Sequence, residues 1–322
     1  ARAQCDLVGY NHLMALGIFH GITSDNAQVP ASPEFPRPLD IFGGVAPAFA
    51  YGLRRLDSDY TGYAIRLRRD ADDIEVEVKF DGAGNVSLSS PIVDGGSEQT
   101  GSVTGGTWSG DMVLSAFAGS DTLRVVKWYD QSGNGRDAFQ TVEASQPALI
   151  TSGTLESDGI HFDGSNDYLK ANYKLTATTE STVHAVAKTD SSDVFGIFSN
   201  IDSSYNDGTE LITESGKWSF RVNSEDLDVS ATTTNKTYLL ASYDKDLSTG
   251  TEQQIRVNGT FSQRGADTTT AHNTANRIRV GARRDTDSKL DGKIAEVIVW
   301  NSRLTTAQQD ILEDNTLAYF NL

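Results

Sequence analysis

The sequence predicts an all-β protein: an antiparallel β-sandwich with an N-terminal arm and short peripheral helices. Three observations predict it. From residue 123 onward, short runs rich in Val, Ile, Phe and Tyr alternate with turns bearing Gly, Asn and Asp, the rhythm of sandwich strands. Residues 63–69 and 74–79 alternate apolar with polar or charged side chains, the period of half-buried strands. A hydrophobic share of 38% in 322 residues is enough to fill a core.

The elements follow in order. Residues 1–40 read as an arm or linker. Pro30, Pro33, Pro36 and Pro38 crowd its end, and proline stiffens a chain while removing backbone donors. Two uses stay open for it: a peripheral loop on its own domain, or an attachment arm that docks on a partner. Phe49, Leu53 and Leu56 recur at helical spacing behind Pro47, which predicts a helix from Ala46 or Pro47 to Leu56. Strands are expected at Tyr63–Arg69 and around Ile74, Val76 and Val78, with a turn at Gly82–Asn85. Residues 89–111 are rich in Ser, Gly and Thr and read as a loop, and a short helix is expected at Met112–Ala118.

Beyond that, Leu123–Tyr129 makes a strand that runs into the turn Asp130–Gly135. Strands are expected at Thr182–Lys188, Phe195–Ser199, Glu210–Thr213, Lys217–Val222, Thr237–Asp244, Gln254–Val257, Arg277–Ala282 and Gly292–Trp300. The last is nearly continuously apolar, so it belongs at the centre. A helix from Leu304 to Asn315, capped by Thr305 or Thr306, packs Ile311 and Leu312 back on the sheet. Residues 41–155 are assigned to the first part of the one sandwich and 156–322 to the rest.

Charge and composition exclude several classes. Subtracting 44 acidic from 27 basic residues gives a net charge of −17, which disfavours nucleic acid and anionic lipid as partners. The chain has one cysteine, so neither an internal disulfide nor a cysteine-rich zinc site is expected. The five histidines are scattered and form no HExxH, and Ser132 lies outside any GxSxG elbow. No membrane insertion is expected, because no run of about 18 apolar residues occurs.

The second half resembles concanavalin A-like or laminin-G-like jelly rolls. The resemblance rests on Phe162-Asp163-Gly164-Ser165-Asn166-Asp167-Tyr168-Leu169, on Val257-Asn258-Gly259, on Arg279-Val280-Gly281 and on Leu290 to Trp300. The middle is similar to the catalytic sandwich of α-L-arabinofuranosidase B. That likeness sits in Ala50 to Leu56, Ala64 to Arg69 and Trp128-Tyr129-Asp130-Gln131-Ser132-Gly133-Asn134-Gly135. The same run resembles bacteriophage tail, fibre and decoration proteins. That resemblance implies a virion structural protein on the outer particle surface. It would join other virion proteins through its arm, form a homo-oligomer and present a carbohydrate-binding sandwich to a host-surface glycan. Two alternatives are a glycoside hydrolase acting on surface polysaccharide and a purely structural cement.

Against the arabinofuranosidase pattern, Asp285 falls in the place of the acid and Glu225 near that of the nucleophile, a retaining carboxylate pair. The family's vicinal cysteine pair is missing, since Cys5 stands alone, so an enzyme is the lesser expectation. Sugar-binding candidates are Asp202, Tyr205 and Asp207, with the exposed-looking Arg283 and Arg284, all on loops between strands. Asp130, Asn134 and Asp137 offer oxygen donors for calcium. Their other reading is that Asp130 and Ser132 bond the backbone of their own turn. Asp163, Asn166 and Asp167 pose the same pair of readings. Trp128, Trp218 and Trp300 lie on strands and are expected in the core.

Overall fold

The structure, a computed structural model, describes residues 36–42, 45–94, 112–175, 179–201, 208–223, 225–244, 246, 252–263, 277–284 and 287–322. The N-terminal part of the arm lies outside the described residues, as does most of the loop expected at 89–111. The early strands are β1 (Phe49–Gly52), β2 (Ile65–Arg69), β3 (Glu75–Val78) and β4 (Ile92–Asp94). Helix α1 (Leu114–Ala118) precedes β5 (Leu123–Trp128), β6 (Ala138–Phe139), β7 (Ala148–Thr151), β8 (Thr154–Leu155), β9 (Ile160–Asp163) and β10 (Leu169–Lys174). Next come β11 (Glu180–Thr189), β12 (Phe195–Ser199), β13 (Thr209–Glu214), β14 (Lys217–Val222) and β15 (Glu225–Val229). The chain closes with β16 (Thr237–Asp244), β17 (Gln253–Val257), β18 (Thr260–Gln263), β19 (Arg277–Val280), β20 (Asp291–Trp300) and helix α2 (Thr306–Phe320).

All pairings among the described residues are antiparallel, and they form two runs. In one, β20 pairs with β1 and β9 along one side and with β11 on the other, and β11 leads to β16, β17 and β18. In the other, β4, β3, β2, β5, β6, β10, β19, β12, β13, β14 and β15 follow edge to edge. Strand β7 joins them, pairing with β5 and β9. Side chains from both runs meet in one core. Val183, Ala185, Val297 and Val299 come from the first run; Leu67, Val125, Trp218 and Phe220 come from the second.

Strand β20 explains its own sequence. Val297 and Val299 face the main core, while Ile298 and Trp300 face a second cluster with Tyr238, Leu240 and Leu312 beneath α2. Both faces are covered, so the strand reads as a continuous apolar run. Asn258 and Gly259 turn β17 into β18 with φ of 45° and 80°, the two positive values that a tight hairpin turn demands. Gly281 also has positive φ, and a Cβ there would overlap the Phe162 ring.

Two expectations are corrected. The helix expected from Ala46 or Pro47 to Leu56 is not formed; residues 49–52 are β1, wholly buried against β20. Phe49 and Tyr51 enter the main core while Ala50 enters the second cluster, and this two-faced burial overrides the helical spacing. Ile311 is 42% exposed rather than packed, whereas Leu312 is buried. Residues 36–42, at the arm's boundary, lie on the sandwich: Asn315 Nδ2 donates to Pro36 O, and Leu39 packs on the second cluster. Thr305 caps α2 in a reciprocal capping box with Gln308, as its sequence implies. No helix among the described residues is long and apolar enough to cross a membrane.

Candidate functional site

The site is built on the turn that follows β5. Asp130 is buried, and its carboxylate organises the turn. Oδ1 accepts from the backbone N–H of Ala50 and Ser132; Oδ2 accepts from the Ser132 hydroxyl and the Arg136 N–H. Gly133 and Gly135 supply positive φ. Gln131 is pinned as firmly, accepting from Leu56 N and donating to Gly52 O and Arg54 O.

This scaffold supports an open depression of about 450 Å³. Lys127 from β5, Asn134 and Asp137 from the turn, and Phe139 from β6 line one side. Asn172 and Tyr173 from β10 line the other. The Arg136 guanidinium stacks 3.5 Å from the centre of the Tyr173 ring and donates to Ala48 O. Such stacking fixes a planar floor. Asn134 Nδ2 donates to the carbonyls of Pro47 and Ala48, so it belongs to the wall. Asp137 Oδ1 accepts from Asp130 N, and its Oδ2 lies 3.7 Å from Lys127 Nζ. Asn172 is exposed and its amide has no protein partner among the described residues. The depression thus offers the Arg136–Tyr173 stack, a free amide, a carboxylate oxygen and an ammonium group.

The predicted site residues that the structure describes have definite places. At the turn weighed for calcium through Asp130, Asn134 and Asp137, Asp130 and Ser132 bond the backbone of their own turn. Four donors occupy the Asp130 oxygens, Asp137 receives a backbone N–H, and Asn134 donates to carbonyls. Among the described residues, no group of three or more His, Cys, Asp or Glu could hold a metal. Arg283 is not exposed. It is 8% accessible and grips Glu210 through two hydrogen bonds of 3.0 and 2.7 Å. Arg284 pairs with Asp287. Asp202, Tyr205, Asp207 and Asp285 lie outside the described residues. Glu225 opens β15, in backbone pairing with Val222.

The turn 163–169 differs from its counterpart at 130–135. Asp163 Oδ1 accepts from the N–H groups of Ser165 and Asn166. Asp167 is 1% exposed; Oδ2 accepts from Asp163 N, while Oδ1 has no partner among the described residues. Burial, aided by the Asp163 charge, pushes its carboxyl up to about 7.

Sequence reasoning missed Lys127, Phe139, Asn172 and Tyr173 as a group. Their one local signal is the alternation Leu169-Lys170-Ala171-Asn172, whose apolar members are buried in the core. It also missed the charge cluster beneath α2. Arg54 donates to both oxygens of Glu296 at 2.7 and 3.1 Å, and His184 Nε2 lies 2.7 Å from Glu296 Oε1.

Residues 163–308 match the family model described as the concanavalin A-like lectin/glucanases superfamily. The fold is a concanavalin A-like sandwich. Among solved structures, a mutant GH54 α-L-arabinofuranosidase soaked with 4-nitrophenyl α-L-arabinofuranoside is similar with a TM-score of 0.64 at 15% identity. A GH54 α-L-arabinofuranosidase soaked with a cyclic sulfate inhibitor gives 0.59 at 15%, and an arabinofuranosidase complexed with arabinofuranosyl-α-1,2-xylobiose gives 0.55 at 16%. Each likeness covers 88% of this chain and 65% of the other, so the chain spans just under two thirds of those proteins. No curated protein sequence matches.

Proposed function

We propose that the chain is a carbohydrate-binding sandwich that recognises a glycan in the depression between the 130–139 segment and β10. One observation carries this reading. The Arg136–Tyr173 stack lies beside the free Asn172 amide, with Asp137 and Lys127 at the rim. Sugars are held by aromatic faces together with a few convergent polar groups. Among the described residues, the lining has a single carboxylate, Asp137, whereas glycoside hydrolysis takes two. This favours binding over cleavage here.

The setting proposed is the outer surface of a bacteriophage particle, as tail fibre, spike or capsid decoration. There the arm joins other virion proteins and copies of the chain form a homo-oligomer. The support is the resemblance of the Asp130–Gly135 run to such proteins, together with an acidic surface suited to crowded display. A host-glycan array probed with the full chain tests the binding. Retention of one glycan class that Tyr173→Ala abolishes is the expected result. No retained glycan would overturn it.

A second reading is a glycoside hydrolase using Asp285 and Glu225, favoured by the arabinofuranosidase-like fold over 88% of the chain. It predicts release of 4-nitrophenol from 4-nitrophenyl α-L-arabinofuranoside, lost in Glu225→Gln. No release above buffer would overturn it.

A further inference from the structure

The depression is one end of a longer feature. Antiparallel register sets Glu77 on β3, Arg66 on β2, Lys127 on β5, Phe139 on β6 and Lys170 on β10 directly opposite one another in turn. Directly opposed residues share a face. None of Arg66, Lys127, Phe139 and Lys170 is buried. Four strand spacings of ~4.8 Å make this row about 19 Å long. Beside it run two further aromatic rings. Tyr63 and Tyr129 lie 5.9 Å apart, with Lys79 over the first and Lys127 over the second.

The charges of this row run against the rest of the molecule. The chain carries −17, yet Arg66 stands opposite Lys127 and Lys170 stands opposite Arg279. Like charges placed directly opposite repel. Glu77 neutralises Arg66 and also accepts from the Tyr129 hydroxyl at 2.7 Å. Lys127 reaches only to 3.7 Å of Asp137. Lys79 and Lys170 make no ion pair among the described residues. Cations held in opposition, interleaved with aromatic rings, fit a ligand that is itself anionic and ring-built.

We infer that this face binds an acidic polysaccharide, a glycan chain bearing carboxylate or sulfate groups, laid across strands β3, β2, β5, β6 and β10. The inference rests on the glycan-binding reading of the depression and names its ligand class and direction. The chain's sugar rings lie on Tyr63, Tyr129, Phe139 and Tyr173, and its acid groups pair with Lys79, Lys127 and Lys170. The remaining acidic surface repels polyanions that cannot engage this row.

The test is calorimetric titration of the full chain with matched oligosaccharides, one series neutral and one bearing uronic acids or sulfates. The expected result is binding of the acidic series only, tighter for longer chains. It weakens about tenfold as salt rises from roughly 0.05 M to roughly 0.5 M. Lys127→Gln and Lys170→Gln each weaken it about tenfold with no change in melting temperature. Binding of neutral glycans with no preference for acidic ones would overturn the inference while leaving the glycan-binding reading intact. So would lysine variants that bind acidic glycans as well as the parent does. Binding of neither series overturns both.

Discussion

Two buried carboxylates, Glu296 beneath α2 and Asp167 in the 163–169 turn, sit at similar depth and respond in opposite directions. Glu296 is wholly buried, yet Arg54 and His184 hold its carboxyl down to about 2 against the desolvation that would raise it. Asp167 has one backbone N–H, a nearby Asp163 charge and an unpartnered oxygen, and it rises to about 7. Depth alone decides neither case. What decides is whether the chain brings a cation to the carboxylate.

The largest effect is expected at Glu296. Arg54 also donates to Asn315 Oδ1 and stacks 4.2 Å from the centre of the Tyr319 ring. Arg54→Ala therefore strands a buried charge and also loosens α2. It should cost about 3–5 kcal/mol in denaturant unfolding. Arg54→Met with Glu296→Leu, which removes both charges, should recover most of that loss. If the double variant is no more stable than Arg54→Ala, the pairing is not what holds Glu296. The pH dependence follows from the lowered carboxyl. Its stabilisation is complete above the unfolded value of about 4.3 and disappears as pH falls toward about 2.

Asp130 sharpens the comparison, because its partners are backbone and hydroxyl donors rather than cations. Asp130→Ala should cost about 2–3 kcal/mol and weaken glycan binding, since Asn134 and Arg136 hang on the same turn. Chelation by EDTA should leave melting temperature and binding unchanged; a shift of several degrees would show a cation at the turn.

Asp167 gives the smallest and oppositely signed effect. Its folded carboxyl lies above its unfolded value, so the folded state holds the extra proton between about pH 4 and pH 7. Stability from this group is present below about pH 4 and falls as pH rises to about 7. Asp167→Asn keeps an acceptor for Asp163 N and removes the charge. It should raise stability at pH 8 by on the order of 2 kcal/mol and leave pH 4 unaffected. Equal stability of variant and parent at both pH values would remove the contrast with Glu296.

The sandwich was legible because each strand announces itself locally. Phe195–Ser199, Lys217–Val222 and Thr237–Asp244 occur with the boundaries their sequences imply. Residues 46–56 misled because Phe49, Leu53 and Leu56 imitate a helical face, while burial against β20 belongs to a partner some 245 residues away. The Arg54–Glu296–His184 cluster was illegible for the same reason: its members come from three distant segments. The candidate site was half legible. The Asp130–Gly135 turn stands out in the sequence, but its function as a support for Tyr173 and Asn172 depends on β10 pairing beside β6. Arg283 looked like a surface cation, and only the fold places Glu210 against it.

The central claim is that the depression beside the 130–135 turn binds glycan. Asn172 is exposed and its side chain supports no other part of the structure among the described residues. The most direct measurement is a titration of parent and Asn172→Ala with the glycan best retained on an array, alongside both melting temperatures. The account predicts at least about tenfold weaker binding at an unchanged melting temperature. Equal affinity in the two proteins would contradict it.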